Sequence, residues 1–339
     1  MNPIVSCHEP LRLTPLKDFC LVTATGEDAV TFLHGQLTND VVSLDPGTAR
    51  FAGYCTPKGR LLATTLVWKG LHDVVFLLMP RDIADNIVKR LTMFALRARV
   101  KITVSDYAVW GMQSEQDTTV MGSLTQDFTW KVQAQDTAFF IQAPGQNRWW
   151  CCAPASVQIE SVIQKSLPSL MPSEWYSADI QSGMPWIYQA TQDHFIPQTV
   201  NLDRIGGVSF TKGCYPGQEV VARAHYRGTV KRRMAYACLT VSDDTFTALS
   251  APQTHSTDNV TPSDNDLNLN WLLMDIFHTH DLQTPCGRVI NACLNQNPVS
   301  GQCMTQLHAL IEIQTADLEH EGYFMLANSH GPALQVQAF

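Results

Sequence analysis

The run that could carry chemistry most directly is Lys212-Gly213-Cys214-Tyr215-Pro216-Gly217-Gln218-Glu219, continued by Val220-Val221-Ala222-Arg223. It sets a thiol beside an ammonium and between two glycines. Glycine adopts backbone conformations closed to other residues and lets a partner approach closely. Pro216 suits the first turn of a helix that runs on through Arg223, and the free N–H groups of such a turn favour an anion or a thiolate. A thiol in this setting is expected to ionise below the ordinary value of about 8.5 and to be a nucleophile or a metal ligand. An isolated cysteine is more often a small buried apolar group. The glycine frame and the charged neighbours bring the two readings level.

The remaining cysteines do not assemble a site around Cys214. Of the ten in the chain, none forms a C-x-x-C pair, and the adjacent Cys151 and Cys152 are too close to chelate together. Cys286, Cys293 and Cys303 match no common metal spacing, so no metal site is read here. The formal charge of −8 argues against a protein coated in nucleic acid. Locally, Arg223, Arg227, Lys231, Arg232 and Arg233 crowd together, with no acid from Val220 to Ser242. Such a face suits a small anion, or it is a solvated face paired with acids elsewhere. On a helix, Arg223 and Arg227 would share one side.

These residues need elements to hold them. Thr25-Gly26-Glu27-Asp28 reads as a helix entry, with Val30, Leu33 and Leu37 at helical spacing. Leu61 to Trp68 and Val74 to Met79 read as strands, and Pro80 opens a helix with Ile83, Ile87, Leu91 and Phe94 on one face. Strands are expected at Val100 to Val104, Ala108 to Met112 and, briefly, Val208 to Phe210. The order strand–strand–helix–strand predicts an α+β layout. A polar stretch at 242–270 separates this part from short strands at Trp271 to Phe277, Arg288 to Leu294, Ala309 to Ile313 and Tyr323 to Leu326. Together with Val230 to Leu239 they predict a small β-barrel. No secretory signal opens the sequence, and no apolar run is long enough for a membrane, so a cytoplasmic protein is expected. Dinucleotide and P-loop patterns are missing too.

The motif, preceded by Phe195-Ile196-Pro197-Gln198, Asn201-Leu202 and Gly206-Gly207-Val208-Ser209-Phe210, resembles the signature of the YgfZ family. That family is related to the T-protein of the glycine cleavage system, a tetrahydrofolate-dependent aminomethyltransferase. Phe32 to Val41 resembles the first helix of both, Tyr54 to Leu61 a Lys-Gly turn, and Trp175 to Pro185 the segment before the signature. The resemblance covers about residues 15 to 233 and implies a three-domain, aminomethyltransferase-like folate-binding fold. The expected units are a discontinuous folate-binding domain over 1–48 and 176–229, a ferredoxin-like domain over 49–175, and the barrel over 230–339.

The resemblance also implies roles. Tetrahydrofolate, or another folate, would sit against Phe19 and Trp175, where relatives use two tryptophans; Phe keeps the ring but loses the indole donor. Gln181 stands where relatives often carry Glu, so a charge-assisted contact to the pterin is lost unless Asp179 supplies it. Arg223 and Arg227 are weaker candidates for the glutamate tail. Cys214, with Lys212, Gly213, Tyr215, Gly217, Gln218 and Glu219 around it, distinguishes YgfZ-type proteins from the transferases. Relatives support synthesis or repair of iron–sulfur enzymes, including methylthiotransferases that modify tRNA, which would be the partners. One cysteine cannot hold a cluster that takes about four thiolates, so a transient contact is the expectation. An accessory factor is therefore expected rather than an enzyme; the alternatives are a folate-dependent one-carbon transferase and a direct tRNA-binding module.

Overall fold

The computed structural model describes residues 11–71, 74–114, 129–144, 147–163, 167–228, 230–241, 271–299, 302–328 and 330–339. The polar stretch 242–270 lies outside them. Among the described residues ten strands precede the motif: β1 (Leu11–Pro15), β2 (Phe19–Thr25), β3 (Thr48–Cys55), β4 (Leu61–Lys69), β5 (Val75–Pro80), β6 (Lys101–Val104), β7 (Tyr107–Ser114), β8 (Thr129–Gln135), β9 (Ala138–Gln142) and β10 (Arg148–Pro154). They form one sheet in the order β1-β7-β10-β9-β8-β3-β4-β5-β2-β6. Among the described residues no helix is long and apolar enough to cross a membrane.

Alternation along the strands sorts side chains between two cores. On β2, Cys20, Val22 and Ala24 face one core, which α1 (Ala29–His34) and α2 (Arg81–Phe94) cover with Leu33, Ile83, Ile87 and Leu91. Phe19 and Leu21 point the other way, into a second core with Phe51, Leu66 and Leu78. That core receives α4 (Pro172–Gln181), the segment after it and α5 (Gln218–Tyr226). The short α3 (Ile159–Ile163) packs Ile159 near β1 and β10.

The C-terminal part is a closed barrel of β11 (Arg232–Val241), β12 (Asp275–His278), β13 (Gly287–Val299), β14 (Gln302–Gln314), β15 (Phe324–Leu326) and β16 (Ala333–Ala338). A bulge between Val289 and Asn291 in β13 accompanies the turn of Asn291 toward the second core. Its amide bonds the backbone of Trp186 in both directions, at 3.1 and 2.7 Å.

Two expectations fail locally. Val208 to Phe210 is not a strand, because its bonds go to the loop after α1: Ser209 N–H donates to Thr38 O, and Thr38 Oγ1 donates to Gly207 O. The first helix ends at His34, capped by Gly35, so Leu37 lies beyond it and bridges to Tyr54.

On β14, His308 is buried against the barrel's neighbours and bonds Tyr236 Oη through Nδ1 at 2.6 Å. Burial pushes its pKa down to about 4, from an ordinary 6.5. The stability tied to neutral His308 is thus complete above pH 6.5 and is lost as the pH falls toward 4, by on the order of 3 kcal/mol. Thermal melts across that window should fall more steeply for the parent than for His308→Gln. Parallel curves would refute a buried neutral imidazole.

Candidate functional site

The motif loop is held at three points. Lys212 is buried, and its ammonium donates to the carbonyls of His34 and of Leu37, the latter at 2.7 Å, just where α1 ends. Carbonyls at a helix C-terminus attract a cation. Burial lowers the Lys212 pKa to about 8, against the opposing pull of Asp40 and Cys214. The ammonium also lies 5.0 Å over the ring of Tyr215, which is itself buried.

The third anchor is backbone on backbone. Gly217 caps α5 with a left-handed φ of 80°. A Cβ there would lie 2.5 Å from Thr56 O and 2.6 Å from Gly59 Cα. Gly59, with φ 74°, ends the Lys58-Gly59 turn between β3 and β4 and abuts Val220 in return. Two distant glycines thus let two turns touch. Gly213 has neither a left-handed φ nor a close neighbour; a Cβ there would meet only His34 Nε2, at 3.9 Å. Its expected conformational role is not seen.

Between these anchors Cys214 is exposed. Among the described residues six cysteines are buried and Cys238 is partly so. Burial raises the thiols of Cys20 to about 11 and of Cys55 and Cys286 to about 12, and those of Cys151 and Cys152 also rise. Beside the loop, His34 Nδ1 meets Asp40 Oδ1 at 3.0 Å. Glu219 is exposed in the first turn of α5, and Gln218 is half-buried. Pro216 precedes the cap and stands outside the helix, because Gly217 takes the cap position.

The basic cluster divides. Arg233 makes a two-pronged pair with Asp203 at 2.6 and 3.1 Å, and Arg232 reaches Glu312 at 3.5 Å. Arg223 and Arg227 are exposed. They do not share a helical face, since α5 ends at Tyr226 and Arg227 leaves with φ −127°.

Phe19 and Trp175 come together in the second core, both fully buried. Phe19 lies edge-on to Trp186 at 4.9 Å, Trp186 to Trp150 at 6.1 Å, and Trp150 to Trp175 at 5.8 Å. Trp175 rests on β7 at Gly111, where any Cβ would strike the indole. Inside the cluster is an ion pair: Arg148 Nη2 donates to Asp179 Oδ1 at 2.8 Å, and the guanidinium lies 4.2 Å from the Trp175 ring. Trp186 Nε1 donates to Asp179 Oδ2 at 3.1 Å. Burial raises the Asp179 carboxyl, against the pull of Arg148. Gln181, half-buried, is the last residue of α4. Trp150 Nε1 and Trp175 Nε1 are buried with no acceptor among the described residues.

The roles of Arg148, Trp150, Trp186 and His34 are not legible in the sequence alone. A signal existed for Arg148, which opens the apolar run Trp149 to Ala153. A charge entering a buried strand needs a partner.

Two measurements follow from this geometry. Gly217→Ala should cost about 1–3 kcal/mol or more in denaturant unfolding, through φ strain and the clash with Thr56 and Gly59; an unchanged midpoint would disprove the tight turn contact. Native-state alkylation mapped by mass spectrometry should modify Cys214 well before Cys20, Cys55, Cys151, Cys152, Cys286 or Cys293. Equal labelling of those six would mean that the loop does not present Cys214 selectively.

No protein-family model matches the chain. It is 36% identical over 245 residues to the tRNA-modifying protein YgfZ of Sodalis glossinidius, covering 68% of this chain and 73% of that relative. The protein of the same name from Vibrio vulnificus is 35% identical over 249 residues, covering 72% of this chain and 73% of its own. In structure, the glycine cleavage system aminomethyltransferase T from Bartonella henselae matches with a TM-score of 0.63, over 97% of this chain and 85% of that one. At 11% identity that match shows the fold alone: the expected α+β, aminomethyltransferase-like architecture with its C-terminal barrel. The relatives' identity over more than two thirds of their length places this chain in the YgfZ family.

Proposed function

We propose that the chain is a cytoplasmic, folate-binding accessory factor for tRNA modification, acting on iron–sulfur enzymes such as tRNA methylthiotransferases through Cys214. The observation that carries the folate reading is that two of the three buried indole donors without acceptors, Trp150 Nε1 and Trp175 Nε1, lie in the Phe19 and Trp186 aromatic cluster. An unpaired buried donor costs about 1–3 kcal/mol. A pterin brings ring acceptors for those N–H groups and would border Phe19 and Trp175 at their edges, because Arg148 and Gly111 already cover the Trp175 faces. The residues present therefore fit tetrahydrofolate, which when bound supplies the one-carbon chemistry of its N5 and N10 positions.

In this reading Phe19 and Trp175 hold the ring system and Gln181 is a neutral contact. Asp179 does not replace the missing carboxylate freely, because both of its oxygens already accept bonds from Arg148 and Trp186. Arg223 and Arg227, exposed on and just after α5, suit the carboxylates of the glutamate tail. The folate-binding unit would comprise 1–48 and 176–229, beside units over 49–175 and 230–339. Val221 of α5 packs into the same core as Phe19 and Trp175, which offers a route by which the ligand steadies the Cys214 loop. Cys214 then serves as a redox thiol or a transient iron ligand. The relatives' name, tRNA-modifying protein, supports the process in which this takes place.

Titration with tetrahydrofolate should change tryptophan fluorescence. Trp175→Phe, which keeps a ring and deletes the donor, should weaken binding several-fold, consistent with about 1 kcal/mol for one hydrogen bond. Unaltered affinity in that folded variant would remove Trp175 from the site. Cys214→Ser should bind folate like the parent yet fail to restore methylthiolated tRNA nucleosides in a deletion strain; full restoration would end the thiol mechanism.

A further inference from the structure

One rim of the barrel gathers three histidines and an aspartate that the folate and thiol readings leave unused. His278 ends β12, and His280 follows in the turn. Asp317 sits in the 3-10 turn Thr315–Leu318 that follows β14, and His320 lies on the approach to β15. One ligand atom from each of His280, Asp317 and His320 lies within 4.8 Å of the other two. His280 Nε2 is 3.5 Å from Asp317 Oδ1, and the His280 and His320 rings have centroids 4.7 Å apart.

Two features separate this cluster from a chance surface grouping. Asp317 is only 6% exposed, and its Oδ2 has no hydrogen-bond partner among the described residues. A buried carboxylate with a bare oxygen is costly unless a cation or donors approach it. Secondly, His280 is braced from behind. Its Nδ1 shares a hydrogen bond of 2.5 Å with Nδ1 of His278, which is fully buried. When His280 donates in that bond, its Nε2 lone pair is bared toward the Asp317 carboxylate. Two acceptors then face each other across 3.5 Å, an arrangement that a cation between them relieves. Buried partners that fix the far nitrogen of a histidine are typical of metal ligands. Asp281, Glu319 and Glu321 add negative charge along the same segments, and the nearby cation Arg232, opposite Gln314, is paired to Glu312.

We propose that His280, Asp317 and His320 bind a divalent first-row transition ion of the Zn2+ type, with His278 as the positioning residue for His280. Two imidazoles and a carboxylate suit such ions, and three protein ligands leave a position open for water or another ligand. Ligands on a tetrahedral ion with bonds of about 2.0–2.1 Å lie about 3.3 Å apart. His280 Nε2 already stands near that distance from Asp317 Oδ1, and the exposed ring of His320 can swing in by the remainder.

The test is calorimetric titration of Zn2+ into the full chain after chelator treatment, with Co2+ absorption as a second readout of coordination. The parent should bind one equivalent, and Zn2+ should raise its melting temperature by mass action. His320→Ala alters an exposed side chain and should fold; it should lose at least tenfold in affinity, and Asp317→Asn should do the same. Cys214→Ala should bind like the parent, which separates this site from thiol chemistry. No Zn2+ binding by the parent, parent-like affinity in folded His320→Ala, or loss of binding in Cys214→Ala would each overturn the proposal.

Discussion

The structure turns on a charge pair taken out of water. Arg148 opens β10 and Asp179 lies in α4, and both are essentially inaccessible to solvent. Removing two such charges from water costs several kcal/mol per ion, and the pair is tolerable only when its other hydrogen-bonding capacity is met. Here Arg148 also donates to Pro144 O at 2.8 Å and to Trp175 O at 3.1 Å, while Asp179 accepts from Trp186. Meeting those demands fixes the end of a strand, the axis of a helix and the path of the segment after it. Because the Trp186 backbone is bound by Asn291 of β13, the same pair also sets where the barrel docks.

The aromatic cluster follows from that constraint. Trp175 is clamped between the Arg148 guanidinium and the bare backbone of Gly111, and Trp150 and Trp186 pack edge-on around it. Edge-to-face packing directs N–H edges as well as ring faces. Two of those edges find no acceptor among the described residues, and they give the core a polarity that burial alone does not explain.

The motif loop uses the opposite device, in which most side chains are spent on anchoring so that one can be presented. Lys212 and Tyr215 are buried, Gly217 meets Gly59, and Val221 enters the second core. Gln198, fully buried, donates to Val221 O at 2.6 Å and ties α5 to the segment before it. Cys214 is left outside. The lysine that sequence adjacency pairs with the thiol is committed to the end of α1, so its charge reaches Cys214 through space rather than by a hydrogen bond.

By itself the sequence determined the elements whose periodicity is strong, α2 and β4 above all, and the β-rich character of the C-terminal part. It also determined the family, because the motif glycines, cysteine and charges are local in the chain. What it left undecided were contacts between residues distant in sequence. That Gly217 needs its missing side chain because of Gly59, and that Gly213 does not, depends on the approach of two turns. The partner of Arg148 and the fate of Asp179 depend on α4 packing against β1 and the barrel strands β13 and β14. Arg227 left the helical face because α5 stops one residue earlier. The rim site joins the local His278-Thr279-His280 pair to Asp317 and His320, far on in the chain, which only the closed barrel brings alongside. Periodicity and turn chemistry act over a few residues, whereas burial, ion pairing and close backbone approach are set only when the chain has folded.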